Sequence, residues 1–321
     1  MDIRRKIKCT KRMEAKLNSG KTGNQSGDVS PIIISASEIA KKAPVRPLDG
    51  HKGTFGTILI YAGSPGMGGA AYLCCEAALR SGVGLARLYI PEELMSTLLQ
   101  LCPHALSSAA SRMPEERIRR LKKLSPTSDA VVFGPGLDPE DNGIEYDLVF
   151  LIENCPGLVL DASAITIIAG HREVVDPAFA IRAEKNLPPA ILTPHPGEFS
   201  RLVPGWDKLD RRDVPGSFAR QFEVILVLKG HETAVFTPRG VWYINSTGND
   251  GMAKGGSGDV LAGLIGGFLA QGIAPEDAAV SAIYLHGLSG DSACKRLGRR
   301  YMQPTDMIDS FPEAFSQSGW D

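Results

Sequence analysis

Cysteine is sparse and scattered. Cys9, Cys74, Cys75, Cys102, Cys155 and Cys294 form no CxxC pair, so the spacing of a zinc site or a disulfide framework is missing and free thiols in a reducing compartment are expected. An excess of charge of either sign is also missing. The formal net charge is −1, which gives no reason to expect nucleic acid or a membrane surface as partner. No apolar run approaches the length of a bilayer span, and the N-terminus lacks the apolar core of a signal peptide. A cytoplasmic protein is expected.

What is present is an ordinary globular composition, with 43% hydrophobic and 22% charged residues over 321 positions. The first 30 residues stand apart. They hold eight Lys or Arg against three acids and a Ser/Gly/Asn-rich stretch from Asn18 to Ser30, which reads as a disordered basic and polar tail. Residues 31–321 are expected to form a single domain.

Along that domain, short β-branched runs alternate with helical patterns. Strands are expected at Thr57–Tyr61, Leu85–Ile90, Asp129–Phe133, Leu158–Leu160, Ala190–Leu192 and Val224–Leu228, with a hairpin joining Thr233–Phe236 to Val241–Ile244. Helices are expected at 37–41, 70–81, 92–99, 258–270, 275–289 and 304–315. This alternation implies an α/β fold, a mainly parallel sheet with helices on both faces. Nearly every strand ends in polar or glycine-rich residues, and open α/β sheets bind ligands outside the carboxyl ends of their strands.

The stretch Asn245–Phe268 organises the rest. A polar, glycine-crowded loop with Gly255, Gly256, Ser257 and Gly258 runs into an apolar helix, and Asp259 stands at the junction. Val260, Leu261, Leu264, Ile265, Phe268 and Leu269 fall on one face of a 3.6-residue period. Glycines allow close approach to the backbone, and a helix N-terminus presents unpaired N–H groups and partial positive charge, so an anion fits there. A carboxylate on the same turn can serve as base for a neighbouring hydroxyl. The plainer alternative is that Asp259 only caps the helix, which leaves the upstream glycines without a reason. A P-loop is excluded because Lys254 lies on the wrong side of the glycines, and a nucleophile elbow because Asp259 occupies the place of its second glycine. Gly66, Gly68 and Ala71 fit a dinucleotide fingerprint, but Glu92, the acid that would complete it, follows Pro91 and reads as a helix start.

Together the motifs resemble the bacterial ADP-dependent NAD(P)H-hydrate dehydratases of the ribokinase-like superfamily. The matching pieces are His51-Lys-Gly-Thr-Phe-Gly, Gly63-Ser, Gly69-Ala70, Gly134-Pro-Gly-Leu, Leu160-Asp-Ala, Leu192-Thr-Pro-His-Pro-Gly-Glu-Phe, Leu228-Lys-Gly and the 245–263 loop. The resemblance implies a three-layer ribokinase-like fold. It also implies dehydration of (6S)-NADHX or (6S)-NADPHX: ADP phosphorylates the substrate hydroxyl, phosphate leaves, and NADH or NADPH is restored with AMP and phosphate as by-products. Asp259 is the implied base and a substrate contact. Ala70, Gly136 and His195 match positions that contact the hydrated dinucleotide. Lys229, Gly230, His231, Glu232, Thr233 and Gly258 match the adenine-nucleotide site. Mg²⁺ is implied as an ion held by phosphates rather than by a protein cage, and homo-oligomers are implied.

Each assignment has a plainer counterpart. His195, between two prolines, could be a rigid-turn residue; Lys229 could be a charged strand end; Asp161 could equally cap the helix after it; Glu198 reads better as a helix opener than a metal ligand. His51, His171 and His286 carry no assignment. Asp250 and Lys254 depart from the family's Pro and Thr, with loop stiffness or phosphate affinity as the property at stake. The chain has no room for the N-terminal epimerase domain of many relatives, so use of the S epimer, directly or after a separate enzyme, is implied. Two other functions share the glycine–aspartate helix start: a kinase of a small alcohol or vitamin precursor, and a non-catalytic nucleotide-binding regulator.

Overall fold

The computed structural model describes residues 30–208 and 213–320. The expected tail, Ser30 apart, lies outside the described residues. In chain order the strands are β1 (Ile32–Ile33), β2 (Thr57–Tyr61), β3 (Leu85–Pro91), β4 (Leu106–Ala110), β5 (Ala130–Phe133), β6 (Gly157–Leu160), β7 (Ile191–Leu192), β8 (Ile225–Leu228), β9 (Ala234–Phe236) and β10 (Trp242–Ile244). Between them run the helices α1 (Ala36–Ala40), α2 (Gly68–Arg80), α3 (Glu92–Leu101), α4 (Pro114–Leu124), α5 (Ile144–Asn154), α6 (Ser163–Gly170), α7 (Arg172–Glu184), α8 (Pro196–Leu202) and α9 (Asp213–Phe222). Helices α10 (Ser257–Ala270), α11 (Pro275–Leu297), α12 (Pro304–Asp309) and α13 (Phe311–Gln317) close the chain.

All the strands join one sheet in the order β1-β10-β9-β8-β7-β6-β5-β2-β3-β4. From β8 to β4 every pairing is parallel, and only the β8–β9–β10 meander runs antiparallel. Strand residues alternate between two cores, as the pleat requires. Ile58, Ile60 and Val132 pack with α2, α10 and α11 on one face; Leu59, Tyr61, Val131 and Phe133 pack with α5, α6, α7 and α9 on the other. The chain order reverses between β2 and β5, which makes their carboxyl ends a switch point of the kind that opens a crevice.

Several elements escaped the sequence. Between Leu99 and Asp129 the structure adds β4 and α4. β4 reads Leu-Ser-Ser-Ala-Ala and lies at the sheet edge, with little β-branched signal. Helix α11 continues to Leu297, two turns beyond the expected end. The last helix divides at Ser310, where Phe311-Pro312 starts a new first turn.

The largest departure concerns α10. Its periodicity predicts one buried face, yet every residue from Val260 to Ala270 is buried. Glycines make this packing feasible. A Cβ on Gly263 would lie 2.1 Å from the Cys74 carbonyl oxygen, and one on Gly267 would lie 2.0 Å from Ser81 Oγ, both on the α2 side. On the sheet side a Cβ on Gly266 would meet Val132 Cγ2 at 2.4 Å. Replacing Gly263 by Ala should therefore destabilise the fold by about 1–3 kcal/mol despite alanine's better helix propensity. Gly170, where a Cβ meets nothing within 4 Å, is the control: Gly170→Ala should leave the urea midpoint unchanged or slightly raised, whereas Gly263→Ala should lower it.

Candidate active site

Three strand ends and one helix start converge on a cavity of about 810 Å³. Asp161 follows β6, Thr193 follows β7 and Lys229 follows β8, so parallel pairing brings them side by side. Opposite them lies the first turn of α10. Gly256 precedes it at φ +100°, in the left-handed region, where a Cβ would lie 2.5 Å from Leu73 Cδ1. The N–H groups of Gly258 and Asp259 have no acceptor among the described residues, so the turn opens an anion cradle toward the cavity.

Asp259 lines the cavity and its carboxylate makes no hydrogen bond or ion pair among the described residues. Burial pushes its pKa from 3.8 to about 7; the Asp161 charge adds to the shift, Lys229 opposes it and Glu198 adds a little more. Capping alone therefore does not account for it. Lys229 donates from Nζ to Asp161 Oδ1 at 2.7 Å and approaches Glu198 Oε2 at 3.9 Å. Burial works to lower the ammonium's pKa, but the two carboxylates outweigh it and Lys229 stays charged. Its head lies 3.2 Å from where a Cβ on Gly258 would be, which places the cation beside the cradle.

Asp161 does not cap the helix after it. Helix α6 has no side-chain cap, and the carboxylate instead accepts from Thr193 Oγ1 at 2.6 Å and from Lys229. His195 both caps a helix and lines the cavity. Its Nδ1 accepts from the N–H groups of Gly197 and Glu198, at 3.1 and 3.3 Å, and so caps α8, while the ring lines the cavity. Glu198 closes the capping box through the His195 N–H at 2.8 Å.

Gly230, His231, Thr233, Gly255, Gly256, Ser257 and Gly258 also line the cavity, whereas Glu232 does not. Ala70 and Gly136 come together elsewhere, at the β2–β5 switch point: a Cβ on Gly136 would meet Ala70 Cβ at 2.8 Å and the Met67 carbonyl oxygen at 2.7 Å. The two regions adjoin, since a Cβ on Gly134 would lie 1.9 Å from the Asp161 carbonyl oxygen. Among the described residues, no group of three or more His, Cys, Asp or Glu is gathered to hold a metal ion.

Three supporting residues carry no role in the sequence reading above. His286, buried in α11, donates from Nε2 to the Ser257 carbonyl at 3.0 Å, and burial lowers its pKa to about 4, so it stays neutral. Asp291 accepts from the Gly248 N–H and from Asn249 Nδ2, both at 2.9 Å, and fastens the asparagine-rich loop to α11. Thr193 belongs to a quoted motif but carried no role. Lys254 donates from Nζ to the Arg300 and Met302 carbonyls, at 2.8 and 2.5 Å, which ties the glycine loop to the segment before α12.

Residues 58–313 match the family model of NAD(P)H-hydrate dehydratase. The ADP-dependent (S)-NAD(P)H-hydrate dehydratase of Bacillus subtilis is 34% identical over 258 residues, which cover 76% of this chain and 83% of that protein. A bifunctional NAD(P)H-hydrate repair enzyme of Moorella thermoacetica is 34% identical over 289 residues, 87% of this chain and 53% of the relative, so the chain spans about half the length of that protein. Among solved structures, a ribokinase-like superfamily protein of Enterococcus faecalis superposes with a TM-score of 0.77 at 27% identity, over 90% of this chain and 97% of its own. The B. subtilis ADP/ATP-dependent dehydratase co-crystallised with ATP and Mg²⁺ gives 0.74 at 28% identity, over 91% and 100%. The glycine cradle, its adjacent acid and the anchored lysine thus occur in a chain that belongs to the NAD(P)H-hydrate dehydratase family.

Proposed function

We propose that the protein restores hydrated nicotinamide cofactors, using ADP to dehydrate (6S)-NADHX and (6S)-NADPHX to NADH and NADPH. The observation that carries this reading is the first turn of α10, where N–H groups and an Asp259 carboxylate that have no partner among the described residues meet Lys229 in one cavity. The N–H groups of Gly258 and Asp259 and the Lys229 ammonium fit a diphosphate, with Gly230, His231 and Thr233 along its path. Mg²⁺ carried on those phosphates would neutralise charge that develops as the phosphoryl group moves.

Asp259 takes the proton of the substrate hydroxyl, the freed oxygen attacks the β-phosphorus, and AMP leaves. Phosphate then departs with the C–O bonding pair, the ring nitrogen's lone pair fills the gap, and loss of a proton from the adjacent carbon restores the ring double bond. Hydroxide would be a far worse leaving group. A carboxylate whose pKa lies near 7 is well matched to the first step, because it is about half ionised at neutral pH and binds a proton more firmly than an ordinary carboxylate. Ala70 and Gly136 at the switch point and His195 at the cavity are the proposed contacts of the dinucleotide.

Incubation with ADP, Mg²⁺ and hydrated NADH should restore the reduced-nicotinamide absorbance band; release of a stable phosphorylated product would indicate a small-alcohol kinase instead. Asp259→Asn should lower turnover by about 10²–10⁴-fold while nucleotide binding, followed by calorimetry, persists. Turnover equal to wild type would place the base elsewhere.

The pH dependence has a definite sign. Asp259 must be ionised to act, so kcat/KM should rise with pH and level off above its pKa of about 7. Stability should move the other way. A carboxyl raised from 3.8 to about 7 makes the folded state bind more protons, so its contribution is greatest below the lower value and lost as pH rises through the higher. Asp259→Asn should accordingly raise Tm at pH 8 and change it little at pH 4, measured by thermal unfolding.

A further inference from the structure

We propose that Asp161 is a positioning residue of this site, a buried carboxylate that anchors the Lys229 ammonium beside the first turn of α10 and holds a negative charge next to Asp259. The inference rests on the function proposed above and adds a residue that the family resemblance leaves without a role.

Three features of the fold are arranged around this one side chain. Ala162, the next residue, has φ 51° and ψ −110°, a conformation costing about 1–3 kcal/mol for a residue with a Cβ. Gly134, at the end of β5 with φ +126°, leaves the space into which the Asp161 carbonyl fits. The carboxylate itself is 1% exposed. A buried ion pair is weak support for stability, since well-packed apolar residues often replace one at no cost. Strain, a bare strand end and a buried charge together are poorly explained by packing and well explained by a site that needs the charge there.

The geometry identifies what the charge does. Oδ1 accepts from both Thr193 Oγ1 and Lys229 Nζ, which fixes the carboxylate and through it the end of a flexible four-carbon stem. Oδ2 takes no hydrogen bond among the described residues and lies 4.0 Å from the Cβ position of Gly258. The cation is thereby held ready where phosphoryl charge would develop, and needs no reorganisation when it does. The groups around Asp259 come from several elements: Asp161 after β6, Lys229 after β8, Glu198 and His195 in and before α8, His286 in α11 and Cys74 in α2. His286 is neutral, and burial raises the Cys74 thiol well above its usual range, so neither carries charge near neutrality. Burial is the largest cause of the Asp259 rise; of the charges, Asp161 and Glu198 oppose Lys229, with Asp161 the larger of the two acids.

Asp161→Asn keeps the shape and removes the charge. Its kcat should fall roughly 10–100-fold, with a smaller change in KM for ADP, because a positioning error acts mainly on the transition state. The Asp259 ionisation, followed by carboxyl-carbon NMR with Asp259→Asn as the assignment control, should move to lower pH, and the acid limb of kcat/KM should move with it. Lys229→Met should move the same ionisation to higher pH, which provides a second reading if Asp161→Asn folds poorly. An Asp259 titration unmoved in Asp161→Asn, or lost activity with an unmoved acid limb, would overturn the proposal and leave Asp161 a structural residue. The NMR titration needs no turnover, so absence of dehydration by the wild-type protein would count against the proposed function alone.

Discussion

The close approach of α10 to α2 and to the sheet is the constraint on which the site depends. A helix buried on every side cannot rotate or slide without moving both neighbours, because dense interiors transmit displacement rather than absorb it. Gly263, Gly266 and Gly267 remove the side chains that would hold it away. The start of the helix is therefore fixed from its far end, and with it the orientation of the Gly258 and Asp259 N–H groups and of the Asp259 carboxylate. His286 adds a tie at the first turn through the Ser257 carbonyl.

Electrostatics then gives the site its character. One ammonium faces three carboxylates, those of Asp161, Glu198 and Asp259, in a space largely withdrawn from water. Asp161 and Glu198 are held by hydrogen bonds or by the cation, whereas the Asp259 carboxylate has no partner among the described residues. Burial raises the proton affinity of Asp259, and the Asp161 charge adds to the rise. Burial that would be a defect in a purely structural position becomes the source of reactivity here.

Much of this was legible in the sequence, and the reasons for the failures are specific. The glycine cradle, Asp259, Lys229 and the strand endings were readable because polar and glycine residues at strand-to-helix junctions have few structural uses. Helix α10 reads as amphipathic because Gly263, Gly266 and Gly267 carry no apolar signal, whereas in the fold they are a contact surface. Asp161 stays open in the sequence because an acid after a strand caps helices and binds ligands with the same spelling; its hydrogen bonds with Thr193 and Lys229, more than 30 residues away, exclude the cap. Thr193, His286 and Asp291 act through partners more than 25 residues away in the chain, a relation no local pattern encodes. Strand β4 escapes because a serine-alanine edge strand carries little β-branched signal.

The loop that frames the cavity is set into α11 rather than laid over it. A Cβ on Gly287 would lie 2.2 Å from Thr247 Oγ1 and one on Gly290 would lie 2.4 Å from Met252 Sδ, so the helix is notched where the loop crosses it. Asp291 then holds the same loop from the next residue. Such a frame has lost its conformational freedom when the chain folds, not when a ligand arrives. Ligand affinity can then come from modest contacts, and selectivity from the fixed outline of the opening.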